Sequence, residues 1–325
     1  MQSELQALSD NHTWSLTPLP AGKKPIGCRW VYKIKLKSDG SVERYKARLV
    51  AKGFTQLEGV DYHDTFSPTA KLPTVHCLLA LAAARNWPLH QLNVNNAFLH
   101  GDLYEEIYML PPPGLRRQGE NLVCRLHKSL YGLKQASHQW FAKFSQAICS
   151  TGYIQSKADY SLFTCHKEHS FTTLLIYVDD IVITGNDLIA ISALKDFLHR
   201  YFRTKDLGDL KYVLGIEVSR SKQGIFLSQR KYAFEILKDA KLLGAAPVYF
   251  PMEKGLSYQI RKTRWSLNLF DHHKARFMHA PRKPHMEAAL RILCYLKNRQ
   301  NDLTLRAFYD SDWAGCLILE GLLQA

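Results

Sequence analysis

Alternation of apolar and polar residues predicts two β-hairpins in this chain. Short β-branched runs at 173–176 and 181–184 flank the tetrapeptide Tyr-Val-Asp-Asp at 177–180, which indicates a hairpin with the acids at its tip. A second hairpin is predicted over 23–56, where apolar and charged residues alternate on both sides of Asp39-Gly40, a pair typical of tight turns. The first hairpin therefore presents two adjacent carboxylates on a turn.

Helical periodicity appears in three segments. Residues 75–84 are rich in Ala and Leu and precede a Trp-Pro pair, which predicts a buried helix that ends before the proline. A strand is expected over 89–94, and amphipathic helices over 137–150 and 192–201. Strand, helix, hairpin and helix in this order predict an α+β fold, with helices on one face of an antiparallel sheet.

Composition places the chain among ordinary globular proteins. It has 325 residues, of which 46% are hydrophobic, and no run of about eighteen apolar residues. The N-terminus lacks a basic region followed by an apolar stretch, so we expect no membrane span, no secretory signal and an intracellular location. The seven scattered cysteines and the absence of a ligand-spaced histidine motif favour reduced thiols and no zinc site.

The charge is strongly positive and unevenly distributed. The formal net charge is +14, and residues 254–299 contain eleven Lys or Arg against two acidic residues, a net of +9. Lys and Arg displace counterions from phosphate backbones, so this balance favours a nucleic-acid partner. A basic tail that does not fold is the alternative explanation of the second segment.

The adjacent acids Asp179 and Asp180 are candidate metal ligands. Two carboxylates so close repel each other unless a divalent cation neutralises them. Mg²⁺ prefers such hard oxygen ligands and usually retains water and substrate phosphates. An acidic turn without a ligand is also compatible with so short a motif.

Five further motifs accompany the Tyr-Val-Asp-Asp step in a fixed order. They are NHTW with GCRWVYK (11–14 and 27–33), RYKARLVAKGFTQ (44–56), QLNVNNAFL (91–99), SLYGLKQA (129–136) and LGIEV (214–218). In this order they resemble the opening, the fingers segment, the first catalytic motif, the template- and nucleotide-positioning motif and the primer-grip turn of reverse transcriptases of copia-type LTR retrotransposons. The resemblance covers most of the chain.

This resemblance implies a right-hand polymerase architecture and its partners. It predicts a lead-in over 1–22 and reverse transcriptase fingers and palm over 23–250, with an antiparallel palm sheet. A degraded basic thumb or connection is expected over 251–300, because family-like sequence breaks after Met252 and returns near Phe277. Residues 301–325 resemble a truncated RNase H start, from which no RNase H activity is expected. The implied partners are an RNA or DNA template with primer, and dNTPs; the oligomeric state stays open.

The resemblance also implies a defect in the catalytic site. The family uses two Mg²⁺ ions held by an Asp of the first motif and the first Asp of Y-x-D-D. Those positions are Asn93 and Asp179 here, with Asp180 as a supporting acid. Asn93 offers a neutral carbonyl where a bridging carboxylate belongs, and Asp102 is too far along the chain to replace it. We therefore expect weak or no polymerase activity; a nucleic-acid-binding product without catalysis is the alternative.

Further site residues follow from the same motifs. The resemblance assigns exclusion of a ribose 2′-hydroxyl to Phe98, the triphosphate clamp to Lys46 and Arg48, the nucleotide and template contacts to Gly132 and Gln135, the primer grip to Leu214, Gly215 and Ile216, and a possible general acid to Lys205. The alternatives are a core aromatic for Phe98, a solvated hairpin face for the two cations, and a solvated loop lysine at 205.

Overall fold

The computed structural model describes residues 1–37, 39–115, 122–221, 224–246 and Arg291. It is a mixed α/β structure whose sheets are antiparallel, and it divides into two units. The first unit contains Met1–Leu210 and the second begins at Lys211. This boundary lies inside the range 23–250 predicted as fingers and palm. The predicted thumb or connection remnant (Arg291 apart) and the RNase H start lie outside the described residues.

Five α-helices and fourteen strands are present in the part of the chain that the structure describes. The helices are α1 (Gln2–Asp10), α2 (Leu72–Ala84), α3 (Ala136–Cys149), α4 (Leu188–Phe202) and α5 (Arg230–Asp239). The strands are β1 (Trp14–Pro18), β2 (Cys28–Leu36), β3 (Val42–Ala51), β4 (Leu89–Val94), β5 (Tyr108–Met109), β6 (Leu122–Leu126), β7 (Ile154–Gln155), β8 (Leu162–Lys167), β9 (Ser170–Tyr177), β10 (Asp180–Gly185), β11 (Thr204–Asp209), β12 (Tyr212–Val213), β13 (Ile216–Ser221) and β14 (Gly224–Ser228). Short 3₁₀ helices cover Gly53–Thr55 and Ala97–His100.

A six-stranded sheet with the order β11-β4-β10-β9-β8-β7 forms the centre of the first unit. Its neighbours pair antiparallel, so Asp180 lies opposite both Tyr177 of β9 and Asn93 of β4. One hydrophobic cluster joins a face of this sheet to α3 and α4: Leu92, Val94, Leu174, Ile176, Ile181 and Ile183 from the strands, and Trp140, Phe144, Leu194, Leu198 and Phe202 from the helices. The predicted packing of helices on one face of an antiparallel sheet is confirmed.

The strands β2 and β3 form a two-stranded hairpin within the first unit. Its turn contains Asp39, whose carboxylate accepts hydrogen bonds from the backbone and hydroxyl of Ser41. The base of the hairpin is buried through Cys28, Leu49 and Ala51, whereas most side chains toward the tip are exposed. The predicted hairpin is confirmed.

The segment predicted as a lead-in is part of the packed structure. Leu8 of α1 is fully buried, and β1 pairs with β6 in a three-stranded sheet with β5. In the second unit, β12, β13 and β14 form a separate antiparallel sheet. None of the described helices is long and apolar enough to cross a membrane.

The helices predicted from periodicity are confirmed with shifted ends. The predicted helix 75–84 begins three residues earlier, at Leu72, with a proline in its first turn. The helix predicted over 192–201 begins at Leu188, because Asp187 accepts hydrogen bonds from the backbone amides of Ile189 and Ala190 and caps it. The helix predicted over 137–150 runs from Ala136 to Cys149.

Candidate active site

The two acids Asp179 and Asp180 lie at the turn between β9 and β10, where the hydrophobic pattern predicted them. This turn, Tyr177–Asp180, is called the acid turn below. Asp180 begins β10, and Asp179 occupies the turn with Val178. The turn is tied to β4, because the backbone amide of Val94 donates to the carbonyl of Asp179 at 2.7 Å. Both acidic side chains are half-buried.

Asn93 lies directly beside these acids. Its side-chain Nδ2 is 3.2 Å from Oδ2 of Asp179 and 3.1 Å from Oδ1 of Asp180. The segment at 91–99 and the turn at 177–180 therefore converge, as the resemblance implied. Two carboxylates can only accept hydrogen bonds, so the amide must present its N–H₂ group, and not its oxygen, to them. Asn93 thus acts as a hydrogen-bond donor at the position where a third carboxylate was expected.

The environment disfavours ionisation of Asp180. Burial raises the pKa of its carboxyl group, and the charge of Asp179 adds to this effect. Side-chain hydrogen bonds from Asn93 and Gln91 oppose the increase. The site thus holds two acids close together and uses neutral amides to offset part of their repulsion.

The open face of the sheet carries the candidate site. Side chains alternate along strands, so Asn93 and Asp180 lie on the face opposite to the one that their neighbours Leu92 and Ile181 pack against the helices. Lys205 of β11 lies opposite Asn93 in register, and its side chain is exposed. The alternative of a solvated loop lysine agrees with this exposure but not with the location, because Lys205 lies in a strand that pairs with β4. Its role as a general acid stays a prediction.

Asp102, the first acidic residue after Asn93 along the chain, is paired with two lysines. It forms ion pairs with Lys128 and Lys143. Although burial acts in the opposite direction, hydrogen bonds from these two lysines lower the pKa of the Asp102 carboxyl group. Among the described residues, no group of three or more His, Cys, Asp or Glu side chains is placed to hold a metal ion.

The predicted triphosphate clamp lies on β3. Lys46 is half-buried and Arg48 is exposed. Burial lowers the pKa of Lys46, and repulsion from Arg48 and Arg44 lowers it further, so this surface carries positive charge that its own anions do not fully balance. Glu4 of α1 is buried near both clamp residues; burial raises its pKa, and Lys46 and Arg48 act against that increase.

Tyr131 links the β2–β3 hairpin, called the cationic hairpin because it carries Lys46 and Arg48, to the residues that follow β4. The Arg48 guanidinium lies 4.8 Å from the centre of the Tyr131 ring, a cation–π distance. Phe98 packs edge-on against the same ring at 5.6 Å, and the Tyr131 hydroxyl donates to the side chain of Asn96 at 3.3 Å. Phe98 is half-buried and packs against the hydrophobic cores, so the alternative of a core aromatic describes its packing. Its role in excluding a 2′-hydroxyl stays a prediction.

The motif at 129–136 holds the segment that follows β3. Gly132 has φ of +89°, and a Cβ there would lie 2.3 Å from the carbonyl oxygen of Ala51, so only glycine fits. Gln135 is fully buried: its side chain accepts from Gln56 at 3.0 Å and donates to the carbonyl of Asp61 at 3.0 Å. Gln135 therefore connects the segment at 129–136 to Gln56 and Asp61, a structural role that was not predicted. Its predicted contact with a nucleotide stays a prediction.

The predicted primer-grip residues lie in the second unit. Leu214 and Gly215 form the turn between β12 and β13, with φ of +50° and +80°, and Ile216 begins β13 as a buried residue. The turn is confirmed, and its contact with a primer stays a prediction.

Sequence reasoning missed a tryptophan below the acid turn. The indole Nε1 of Trp140 donates to the carbonyl of Val178 at 2.7 Å. Trp140 lies in the amphipathic helix predicted over 137–150, a pattern that assigns it only an apolar position. An aromatic residue with a polar N–H at a buried position was the available signal, because such a donor requires a specific acceptor.

Comparison with known proteins finds the family that the sequence motifs resemble. The reverse transcriptase (RNA-dependent DNA polymerase) family matches residues 11–254. The chain is 40% identical to the Retrovirus-related Pol polyprotein from transposon RE2 of Arabidopsis thaliana, over 97% of this chain and 24% of that protein. It is 38% identical to the corresponding polyprotein from transposon TNT 1-94 of Nicotiana tabacum, over 97% of this chain and 27% of that protein. The chain thus spans about a quarter of the length of these relatives.

Among solved structures, similarity is found to a foamy viral protease–reverse transcriptase in complex with double-stranded DNA. The TM-score is 0.37 with 11% identity, over 92% of this chain and 48% of the other. An apo telomerase from Candida tropicalis gives the same TM-score with 8% identity, over 69% of this chain and 58% of the other.

Proposed function

Because the chain belongs to the reverse transcriptase family found in the Pol polyproteins of copia-type transposons, we propose that it is an RNA-directed DNA polymerase domain by descent. We further propose that nucleotidyl transfer in it is impaired by Asn93. The observation that supports both parts is the convergence of Asn93 with Asp179 and Asp180 at hydrogen-bond distance. The framework of a carboxylate site is retained, while one of its three positions is an amide.

The described residues do not fit a pair of Mg²⁺ ions. A two-ion site needs oxygen ligands that hold the ions about 3.5–4 Å apart. Here two carboxylates face the N–H₂ group of Asn93, which repels a cation and supplies no negative charge. Loss of one charge-stabilising group from a preorganised site costs about 10²–10³ in rate. The polymerase framework is therefore proposed to be nearly inactive as it stands.

The proposed partners are a primer annealed to an RNA or DNA template, and dNTPs. The net charge of +14 supports binding to a polyanion. The cations of β3 support binding of the triphosphate, since Lys46 and Arg48 share one face of the hairpin and Arg can form two parallel hydrogen bonds to phosphate oxygens.

The test is restoration of the missing carboxylate. Single-nucleotide primer extension with Mg²⁺ is measured for the unmodified chain, for Asn93→Asp, and for Asn93→Asp combined with Asp179→Asn. We expect Asn93→Asp to raise the extension rate by at least about 10², and the added Asp179→Asn to abolish that gain. Primer–template binding is measured on the same proteins, as a control for folding and nucleic-acid affinity.

The same experiment tests the alternative of a nucleic-acid-binding remnant without latent chemistry. That alternative predicts salt-sensitive duplex binding by all three proteins, with no extension by any of them. Equal extension by the unmodified chain and Asn93→Asp would show instead that the site does not need a carboxylate at position 93.

A further inference from the structure

The acid turn contains a backbone conformation that requires support. Val178, immediately before Asp179, has φ of +56°. A β-branched residue rarely adopts this left-handed conformation, because its branched side chain crowds the backbone. Such a conformation persists only where surrounding contacts over-determine it. Since the turn sets where the two carboxylates point, whatever fixes Val178 also fixes the candidate site.

Trp140 supplies a contact of the required kind. Its indole N–H is a donor only, its side chain is 1% exposed, and it donates to the carbonyl of Val178 at 2.7 Å. No other side-chain hydrogen bond to the Val178 backbone is seen among the described residues. The turn is also restrained by the pairing of Asp180 with Tyr177 and Asn93, by the bond from Val94 to Asp179, and by the hydrogen bonds from the Asn93 side chain to both acids.

The position of the indole is itself rigidly determined. Its ring packs against Phe202 at 5.1 Å, Phe144 at 5.5 Å and His100 at 5.8 Å. Close approach of a second segment adds to this, because a Cβ at Gly101 would lie 2.8 Å from the backbone nitrogen of Trp140. An aromatic group packed against three other rings resists displacement, so a turn that keeps this hydrogen bond is held in the conformation that meets the indole.

We propose that Trp140 is a positioning residue for the acid turn. The hydrogen bond from its indole N–H to the carbonyl of Val178 makes the positions of Asp179 and Asp180 depend on the packing of α3 and α4. This inference rests on the proposed function for its consequence in catalysis. Its structural part, the control of the turn by one hydrogen bond, does not depend on activity.

The test removes the N–H while keeping an aromatic ring. Trp140→Phe and a chain with benzothienylalanine at position 140, in which sulfur replaces the N–H, are compared with the unmodified protein. The matched control is Phe144→Leu, which loosens the same aromatic cluster without touching the turn. Benzothienylalanine preserves the shape of the indole, so it remains informative if Trp140→Phe does not fold.

Hydrogen–deuterium exchange of the peptide spanning 175–182 is the first readout. Both Trp140 changes should speed exchange at the turn by about tenfold or more, because local opening becomes easier when a restraint is lost. The flanking parts of β9 and β10 should change less, and Phe144→Leu should not act selectively on the turn. Unchanged exchange at the turn with benzothienylalanine would overturn the proposal, as would an equal and uniform increase in Phe144→Leu.

Kinetics in the Asn93→Asp background provide the second readout. Misplacing reacting groups by a fraction of an ångström lowers the rate of the chemical step. We therefore expect kcat to fall roughly 10- to 100-fold, while KM for the dNTP stays unchanged. A rise in KM with unchanged kcat would overturn the proposal. If Asn93→Asp shows no extension at all, the proposed function fails, and the exchange experiment still decides the part played by Trp140.

Discussion

The acid turn and the cationic hairpin, both within the first unit, are built in opposite ways. The acid turn connects β9 and β10, the two central strands of a six-stranded sheet. Residues of these strands pack in one hydrophobic cluster with α3 and α4. Among the described strands, β2 and β3 pair only with each other, and their hairpin is buried mainly at its base. Tyr45 near its tip is 78% exposed, whereas Phe144 behind the turn has no exposed surface.

This difference follows from what each region is proposed to do. Groups that perform chemistry must be held to within a fraction of an ångström, which requires rigid elements and locked side chains. Cations that receive a polyanion need accessibility, and an isolated two-stranded hairpin is only marginally stable without further packing. We therefore expect changes at the turn to affect folding and catalysis together, and changes on the hairpin to affect binding alone.

The largest contrast is expected in stability. Phe144→Ala leaves a cavity behind the acid turn and should lower the free energy of unfolding by about 3–5 kcal/mol. Tyr45→Ala removes a comparable ring from the exposed hairpin and should change it by less than about 0.5 kcal/mol. Urea unfolding of the two variants makes the comparison, and similar losses would show that the hairpin tip is packed in solution.

A smaller effect is expected from the hairpin cations. In the Asn93→Asp background, Arg48→Ala should raise KM for the dNTP by about tenfold with little change in kcat, because a charge-assisted contact to phosphate is lost. Lys37→Ala, which removes an exposed cation near the tip, is the matched control. Steady-state extension provides both constants, and an unchanged KM in Arg48→Ala would remove this residue from the clamp.

The smallest effect is the pH dependence of the Asn93→Asp variant. Burial and Asp179 already raise the pKa of Asp180, so its ionised form is disfavoured in the folded state. A third carboxylate should cost about 1 kcal/mol of stability at neutral pH, since solvent screens part of the repulsion. Because the folded-state pKa of Asp180 is raised, this cost should be complete above that pKa and should disappear as pH falls through it toward the pKa of the unfolded chain. Binding of Mg²⁺ should also reduce the cost.

Asn93→Ala is the control for that measurement, because it removes the amide without adding a charge. Its stability difference from the unmodified chain should not follow this pH dependence. Urea unfolding between neutral pH and the ordinary range of Asp titration supplies the data. A constant difference for Asn93→Asp across this range would contradict the proposed crowding of the three groups.

Sequence predicted the regions in which local pattern and packing agree. The hairpin around Tyr177–Asp180 and the helix at Ala136–Cys149 were predictable because their periodicity matches the faces they bury. The convergence of Asn93 with Asp179 was predictable only through the resemblance to a family. Spacing along the chain does not place a residue of β4 beside the turn that follows β9.

Other parts of the site depend on contacts that no local pattern encodes. Gln135 is a polar residue that the structure buries, because Gln56, far along the chain, provides a partner for it. The support of Val178 by Trp140 requires knowing where a helix crosses the end of a strand pair. The strand at Lys205 was not predicted, because pairing with β4 overrides a sequence, Lys-Asp-Leu-Gly-Asp, that has weak strand propensity.

Cation binding at the acid turn tests the central claim most directly. Mn²⁺ binding, followed by electron paramagnetic resonance, is measured for the unmodified chain and for Asn93→Asp, with Asp179→Asn in the second background as the control for site identity. If Asn93 occupies the place of a metal ligand, Asn93→Asp should bind Mn²⁺ at least about tenfold more tightly than the unmodified chain, and Asp179→Asn should cancel the gain. Equal affinity of the unmodified chain and Asn93→Asp would contradict the account.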